Sequence, residues 1–281
     1  MIRLAVRCRP DQAELILAEL VELVPGGVEE ERGTDYVEYA IYGPPGELPD
    51  LPDLQAAAGA GLVEIETTEI PDDWADRWRD FHEPVVVGAG RLVVRPSWEG
   101  TAGDSAAVDI VVDPGRAFGT GAHATTRSCL ELLLELADRG EAQGPLDDWG
   151  TGSAVLAIAA AKLGWDPVMG CDHEGAAVEA AIANADANGV ELGVELVNIR
   201  EQAPPQAPTV VANLTAPLLL PLAARISSGE VATPRRMVLS GLLGSERDRV
   251  AGAYAAAGLV VENEIEAGDW AALSLRAGPG R

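Results

Sequence analysis

The sequence predicts an α/β protein: a mostly parallel, Rossmann-like sheet with helices on both faces, preceded by a small α+β domain of ferredoxin-like pattern. Three observations carry that expectation. From Leu146 onward, short apolar runs alternate with helical periods, as in a sheet built from crossover connections. Leu146-Asp147-Asp148-Trp149 runs into Gly150-Thr151-Gly152 and then into an apolar, alanine-rich stretch at 155–164, giving a strand, a tight turn and a helix. Ahead of these, residues 1–69 read as βαββαβ, the split pattern of a small antiparallel sheet.

In that first domain Ile2, Leu4 and Val6 alternate as a strand. Leu15, Ile16, Ala18, Leu20 and Leu23 follow at helical spacing between Pro10-Asp11 and Pro25-Gly26-Gly27. Strands near Val28 and over 36–42 flank the turn at 32–35, and a short helix near 54–58 leads to a strand at 62–66. A helix over 71–84 then opens the second domain, residues 70–281. It aligns Trp74, Trp78 and Phe81 on one face, which reads as a packing face. A hairpin joins 85–87 to 91–95 through Gly88-Ala89-Gly90. The polar segment 113–127 holds Phe118, Gly119, Gly121, His123, Thr125 and Thr126. It reads as a loop with a cap at Thr125 or Thr126, covering a ligand and preceding a helix over 130–137.

The remaining elements are a strand ending at Asp172, a helix over 175–188 and strands near 194–197 and 209–213. A helix around 216–226, a strand at 237–240, a helix over 247–257 and two closing strands follow. Gly150, Asp172 and Asn213 each follow a strand. Ligands of such sheets bind beyond the carboxyl ends of the strands, so all three are expected to face one crevice. Gly150 and Gly152 let the backbone bend and a nucleoside approach the helix N-terminus. An acid at the end of the second strand is placed to accept hydrogen bonds from ribose.

Composition narrows the classes further. The net charge of −25, with Lys162 the sole lysine, disfavours binding of free nucleic acid and suits a basic partner. Cys8, Cys129 and Cys171 are scattered, and His82, His123 and His173 have no ligand spacing, so neither a disulfide framework nor a metal site is expected. No apolar run is long enough for a membrane span, and the first residues lack the pattern of a secretory signal. A cytoplasmic monomer is the default expectation.

Val155 stands where a dinucleotide fingerprint needs its third glycine, and no phosphate-gripping lysine follows the turn. S-adenosylmethionine is the common remaining user of a strand, glycine turn, helix and ribose-binding acid.

At this point the chain resembles the PrmA family, methyltransferases of the large-subunit ribosomal protein L11. The matching segments are Asp-Pro-Gly-x-Ala-Phe-Gly-Thr-Gly-x-His-x-Thr-Thr at 113–126, Gly-Thr-Gly-Ser at 150–153 with Val-Leu-Ala-Ile-Ala-Ala at 155–160, and Ala-Asn-Leu-x-Ala at 212–216. Ala183-Asn184-Ala185 with Asn188-Gly189, and Trp74 and Trp78, agree as well. The resemblance implies a class I methyltransferase sheet and makes residues 1–69 a substrate-recognition domain. It implies S-adenosylmethionine contacts at Thr126, Gly150, Gly152, Asp172 and Asn213, with Phe118 and Gly119 beside them. Thr126 and Asn213 are also expected to line the entrance for the acceptor amine, whereas His123 orders the loop rather than acting as a base. The implied reaction is methyl transfer to lysine side-chain and N-terminal amines of L11. The alternatives are a related enzyme acting on another protein or a small amine, and a cofactor-binding module without catalysis. Ala154 replaces a usual glycine, Ala122 a commonly polar residue, and His173-Glu174 the more usual Asp-Pro.

Overall fold

The computed structural model describes residues 2–13, 16, 29–33, 36–43, 62–69, 83–100, 107–113 and 121–278. The chain divides into two compact units, Met1–His82 and Glu83–Arg281. The first unit contains β1 (Ile2–Cys8), β2 (Glu29–Arg32), β3 (Val37–Gly43) and β4 (Leu62–Glu69). They form one sheet in the order β2-β3-β1-β4, with every neighbouring pair antiparallel. Leu4, Ala5, Val6, Val37, Tyr39, Ala40 and Ile41 are buried, and the Tyr39 hydroxyl donates to the Ala13 carbonyl at 3.0 Å. The helices expected near 15–23 and 54–58, and the stripe of Trp74, Trp78 and Phe81, lie outside the described residues apart from Ile16.

The second unit opens with β5 (Val85–Val87), β6 (Leu92–Arg95) and β7 (Val108–Val111). The expected hairpin joins β5 to β6, and β7 adds a parallel strand against β6 that the sequence reading missed. Its four residues are too few to show a clear period. Asp109 on β7 holds the buried Arg95 through two bonds of 2.7 Å, from Nε and from Nη2.

Helix α1 (Ala124–Asp138) begins earlier than its apolar run suggested. Its cap is His123, not Thr125 or Thr126: the Thr125 N–H donates to His123 Nδ1 at 3.4 Å. Both threonines are buried in the first turn instead. There the backbone lacks intrahelical acceptors for its own N–H groups, and β-branched residues mask a helical start in sequence.

The remaining elements are β8 (Leu146–Trp149), α2 (Val155–Leu163), β9 (Val168–Asp172), α3 (Gly175–Asn188), β10 (Gly193–Leu196), β11 (Thr209–Asn213), α4 (Ala216–Ser227), β12 (Arg236–Leu243), α5 (Arg247–Ala256), β13 (Leu259–Ala267) and β14 (Trp270–Ala277). The seven strands lie in the order β10-β9-β8-β11-β12-β14-β13. The first five pair in parallel, and β14 runs antiparallel to both neighbours. Alternate side chains feed opposite faces. Val211, Val238 and Ala272 join the apolar cluster that contains α1 and α2, while Val210, Ala212, Met237, Leu239 and Leu273 join the one that contains α4 and α5. Helix α2 is buried from Val155 through Ala160, so it is apolar all round rather than amphipathic.

Candidate cofactor and acceptor site

The site lies at the carboxyl ends of the parallel strands, where successive elements each contribute a loop. Thr126, Gly150, Gly152, Asp172 and Asn213 line one cleft of about 240 Å³. Phe118 and Gly119 lie outside the described residues. The glycine turn is fastened to the end of β9: the Gly150 and Thr151 N–H groups donate to the Cys171 carbonyl at 2.8 and 2.9 Å. Gly150 and Gly152 have φ of 77° and 53°, a region that glycine enters without a Cβ penalty. A Cβ on Gly150 would stand 2.5 Å from Leu214 Cδ2, so it would displace the far end of that side chain.

Asp172 closes β9. Its Oδ2 accepts from the Gly152 N–H at 3.0 Å and its Oδ1 from the Glu174 N–H at 3.1 Å. A carboxylate offers about four acceptor positions, so two backbone bonds fix its direction and leave capacity for a ligand. His173 Nδ1 lies 3.2 Å from Oδ1 on the solvent side.

Beneath the turn, Asp148 is 1 % exposed. Its Oδ2 accepts from Thr151 Oγ1 at 2.8 Å and from the Ala157 N–H at 3.2 Å. The second bond caps α2 from the strand, because the N-cap residue, Ala154, is left-handed with φ 63° and caps nothing. Asp148 Oδ1 has no hydrogen-bond partner among the described residues. Burial pushes this carboxyl up to about 7, and burial raises the neighbouring Asp147 to about 6. Cys171, which lines the cleft, is pushed up to about 12 by burial, so its thiol stays protonated near neutrality and is a poor nucleophile.

On the opposite wall, Asn213 at the end of β11 donates from Nδ2 to Thr126 Oγ1 at 3.4 Å, joining α1 to the sheet. The sequence reading missed Val197, Asn198, Ile199 and Arg200, which follow β10 and line the same cleft, and gave no role to Leu214 and Leu218. The rule that strand ends face the crevice applies to β10 too. Its residues carry no motif to draw the eye.

These residues fit a nucleoside without phosphates. The directed Asp172 carboxylate suits a ribose diol, and Val155, Leu156, Ala177, Val197 and Ile199 offer an apolar surface for a base. Among the described residues, Arg200 is the only lysine or arginine lining the cleft, whereas a polyphosphate is ordinarily gripped by several donors of that kind. Among the described residues, no cluster of three or more His, Cys, Asp or Glu side chains is arranged to hold a metal ion.

The open sheet, the two-glycine turn and the ribose-type acid define a class I, S-adenosylmethionine-dependent methyltransferase. The family model described as Ribosomal protein L11 methyltransferase (PrmA) matches residues 53–278, and the chain belongs to that family. A Ribosomal protein L11 methyltransferase of Burkholderia ambifaria is 33% identical over 278 residues, covering 90% of each chain. One from Pelotomaculum thermopropionicum is 35% identical over 219 residues, 77% of this chain and 69% of that protein. The crystal structure of a ribosomal protein L11 methylase from Lactobacillus delbrueckii subsp. bulgaricus superposes with a TM-score of 0.59 at 26% identity, covering 69% of this chain and 99% of that one.

Proposed function

We propose that the protein transfers methyl groups from S-adenosylmethionine to amine nitrogens of ribosomal protein L11, on lysine side chains and the N-terminal amine. The observation that carries this reading is the convergence of Asp172, the glycine turn and the Thr126–Asn213 pair on one cleft in a chain of this family. S-adenosylmethionine supplies, when bound, a methyl group already activated on a sulfonium. The chain's contribution is then alignment. Asp172 takes the ribose hydroxyls, and the backbone around Gly150 and Gly152 receives the amino-acid portion. Asn213 directs Nδ2 to Thr126, which leaves its Oδ1 free to accept an N–H of the acceptor amine.

A lysine ammonium has a reference pKa near 10.4 and attacks only after losing its proton. Neither Asn213 nor Thr126 titrates, so the amine arrives neutral, favoured by the apolar Leu214 and Leu218. Residues 1–69 serve as the recognition domain in this reading, and the strongly acidic chain attracts a basic protein. No helix among the described residues is long and apolar enough to cross a membrane. The protein works in the cytoplasm as a monomer on this reading, without contacting nucleic acid.

The test is label transfer from methyl-tritiated S-adenosylmethionine to purified L11 and to a cell extract, with Asp172→Ala alongside. Label in L11 that disappears in the variant is the expected outcome. Label in another protein instead would retain the chemistry and reject the substrate, and cofactor binding without any transfer would reject catalysis.

A further inference from the structure

The residue after Asn213 is held between two glycines, one in the turn after β8 and one in β12. On one side, the Leu214 side chain lies over Gly150, where a Cβ would come within 2.5 Å of Cδ2. On the other, its backbone lies on Gly241, where a Cβ would stand 2.7, 2.8 and 2.9 Å from the Leu214 O, C and N atoms. Gly241 has φ of 80° and sits at the irregularity in β12, where pairing with β14 shifts register between Leu239 and Leu242. Just before the bulge, Ser240 pairs with Asn213 in the parallel ladder, and its carbonyl accepts from the Leu214 N–H at 3.0 Å. Bulges of this kind re-aim neighbouring groups, and here the group beside the bulge is the end of β11.

We propose that Gly241, which does not line the cleft, is a positioning residue for methyl transfer: its missing Cβ lets the Leu214 backbone seat and so aims the Asn213 carboxamide at Thr126. The inference rests on the proposed role of Asn213 and extends it to a residue with no ligand contact. The clash at Gly150 involves the far end of a side chain that can rotate away. The clash at Gly241 involves backbone atoms, so its relief needs backbone movement, and the segment pressed upon is the one that carries Asn213. A misplacement of about 1 Å near reacting groups lowers turnover on the order of 100-fold.

Gly258 supplies the control. It is also left-handed, with φ of 90°, but a Cβ there meets nothing within 4 Å. Gly241→Ala and Gly258→Ala therefore share the backbone strain and differ in the clash. Gly258→Ala is expected to lower Tm by a few degrees, and Gly241→Ala, with the clash added, by more. Only Gly241→Ala is expected to lower kcat, about 10- to 100-fold, while the Kd for S-adenosylhomocysteine stays within about threefold. A crystal structure of the ligand-free Gly241→Ala protein is expected to show Asn213 Nδ2 withdrawn from Thr126 Oγ1, beyond the 3.4 Å seen here. Unchanged kcat, an equal loss in Gly258→Ala, or an unmoved Asn213 would each overturn the inference.

The structural comparison needs no substrate, so it is decided separately from the identity of the acceptor. If Gly241→Ala does not fold, Leu214→Ala loosens the same segment from the Gly150 side. Because Leu214 also lines the cleft, the readout is the position of Asn213: a ligand-free crystal structure is expected to show Nδ2 withdrawn from Thr126 Oγ1, and an unmoved Asn213 would overturn the inference.

Discussion

Strand β8, in the parallel half of the large sheet, buries two carboxylates in four residues, Leu146-Asp147-Asp148-Trp149. Strand β14, in the antiparallel half, buries Ala271, Ala272, Leu273, Ser274 and Leu275 in succession. The connection after β8 holds three left-handed residues, Gly150, Gly152 and Ala154, over a carboxyl with an unpartnered oxygen. Beside β14, the edge strand β13 presents Glu262, Glu264 and Glu266 and is tied by Arg236, Arg247 and Arg276. Charged side chains on an edge strand also discourage pairing with other chains. The parallel half gives up stability to shape the cleft, and the antiparallel half supplies it.

Changes that separate the halves sharpen this contrast. The largest stability effect is expected from Leu273→Ala, which empties a fully buried position. It should cost about 2–5 kcal/mol in denaturant unfolding. Because Leu273 does not line the cleft, cofactor affinity in the folded protein should be unchanged; a matching loss of affinity would break the comparison.

Next comes the buried acid. An Asp148 raised to about 7 in the fold stays protonated while the unfolded chain, at the ordinary aspartate value of 3.8, has already lost its proton. Stability contributed by this group therefore falls as pH rises from about 4 to about 7 and is flat above that. Asp148→Asn keeps the shape without the charge. Unfolding at pH 5 and at pH 8 should show a smaller drop in the variant, by on the order of 3 kcal/mol. Equal drops would mean that Asp148 is ionised at no cost.

Gly150→Ala should weaken S-adenosylmethionine binding on the order of 10- to 100-fold, because a Cβ strains the left-handed turn and the methyl displaces Leu214 at the cleft wall. Adding Leu214→Ala should restore part of that affinity, as a calorimetric double-mutant cycle would reveal. The smallest effect is expected from Ala154→Gly. It relieves a left-handed alanine and should stabilise the protein by up to about 1 kcal/mol, read as a small rise in Tm.

The features legible in the sequence were those set by local pattern. Alternation placed β8 to β12 within a few residues and called for two closing strands without bounds, and the rule for strand ends brought Gly150, Asp172 and Asn213 together without any contact being known. The features it did not reveal are long-range. The start of α1 depends on His123 bonding to Thr125, and β7 depends on pairing with β6. The role of Gly241 follows from a bulge that brings β12 against Leu214, which no periodicity reports. Arg200 and its neighbours reach the cleft because β10 lies beside β9, a fact of strand order rather than of spacing.

The central claim is that the carboxyl end of the parallel half binds S-adenosylmethionine through Asp172. The most direct measurement is an equilibrium titration of S-adenosylmethionine into the wild-type protein and into Asp172→Asn. Asparagine keeps an acceptor for the Gly152 N–H but loses the charge offered to the ribose hydroxyls. Hydrogen bonds to a charged group contribute about 1.5–3 kcal/mol each, so the variant should bind about 10- to 100-fold more weakly. Equal affinity in the two proteins would contradict the assignment and move the cofactor elsewhere.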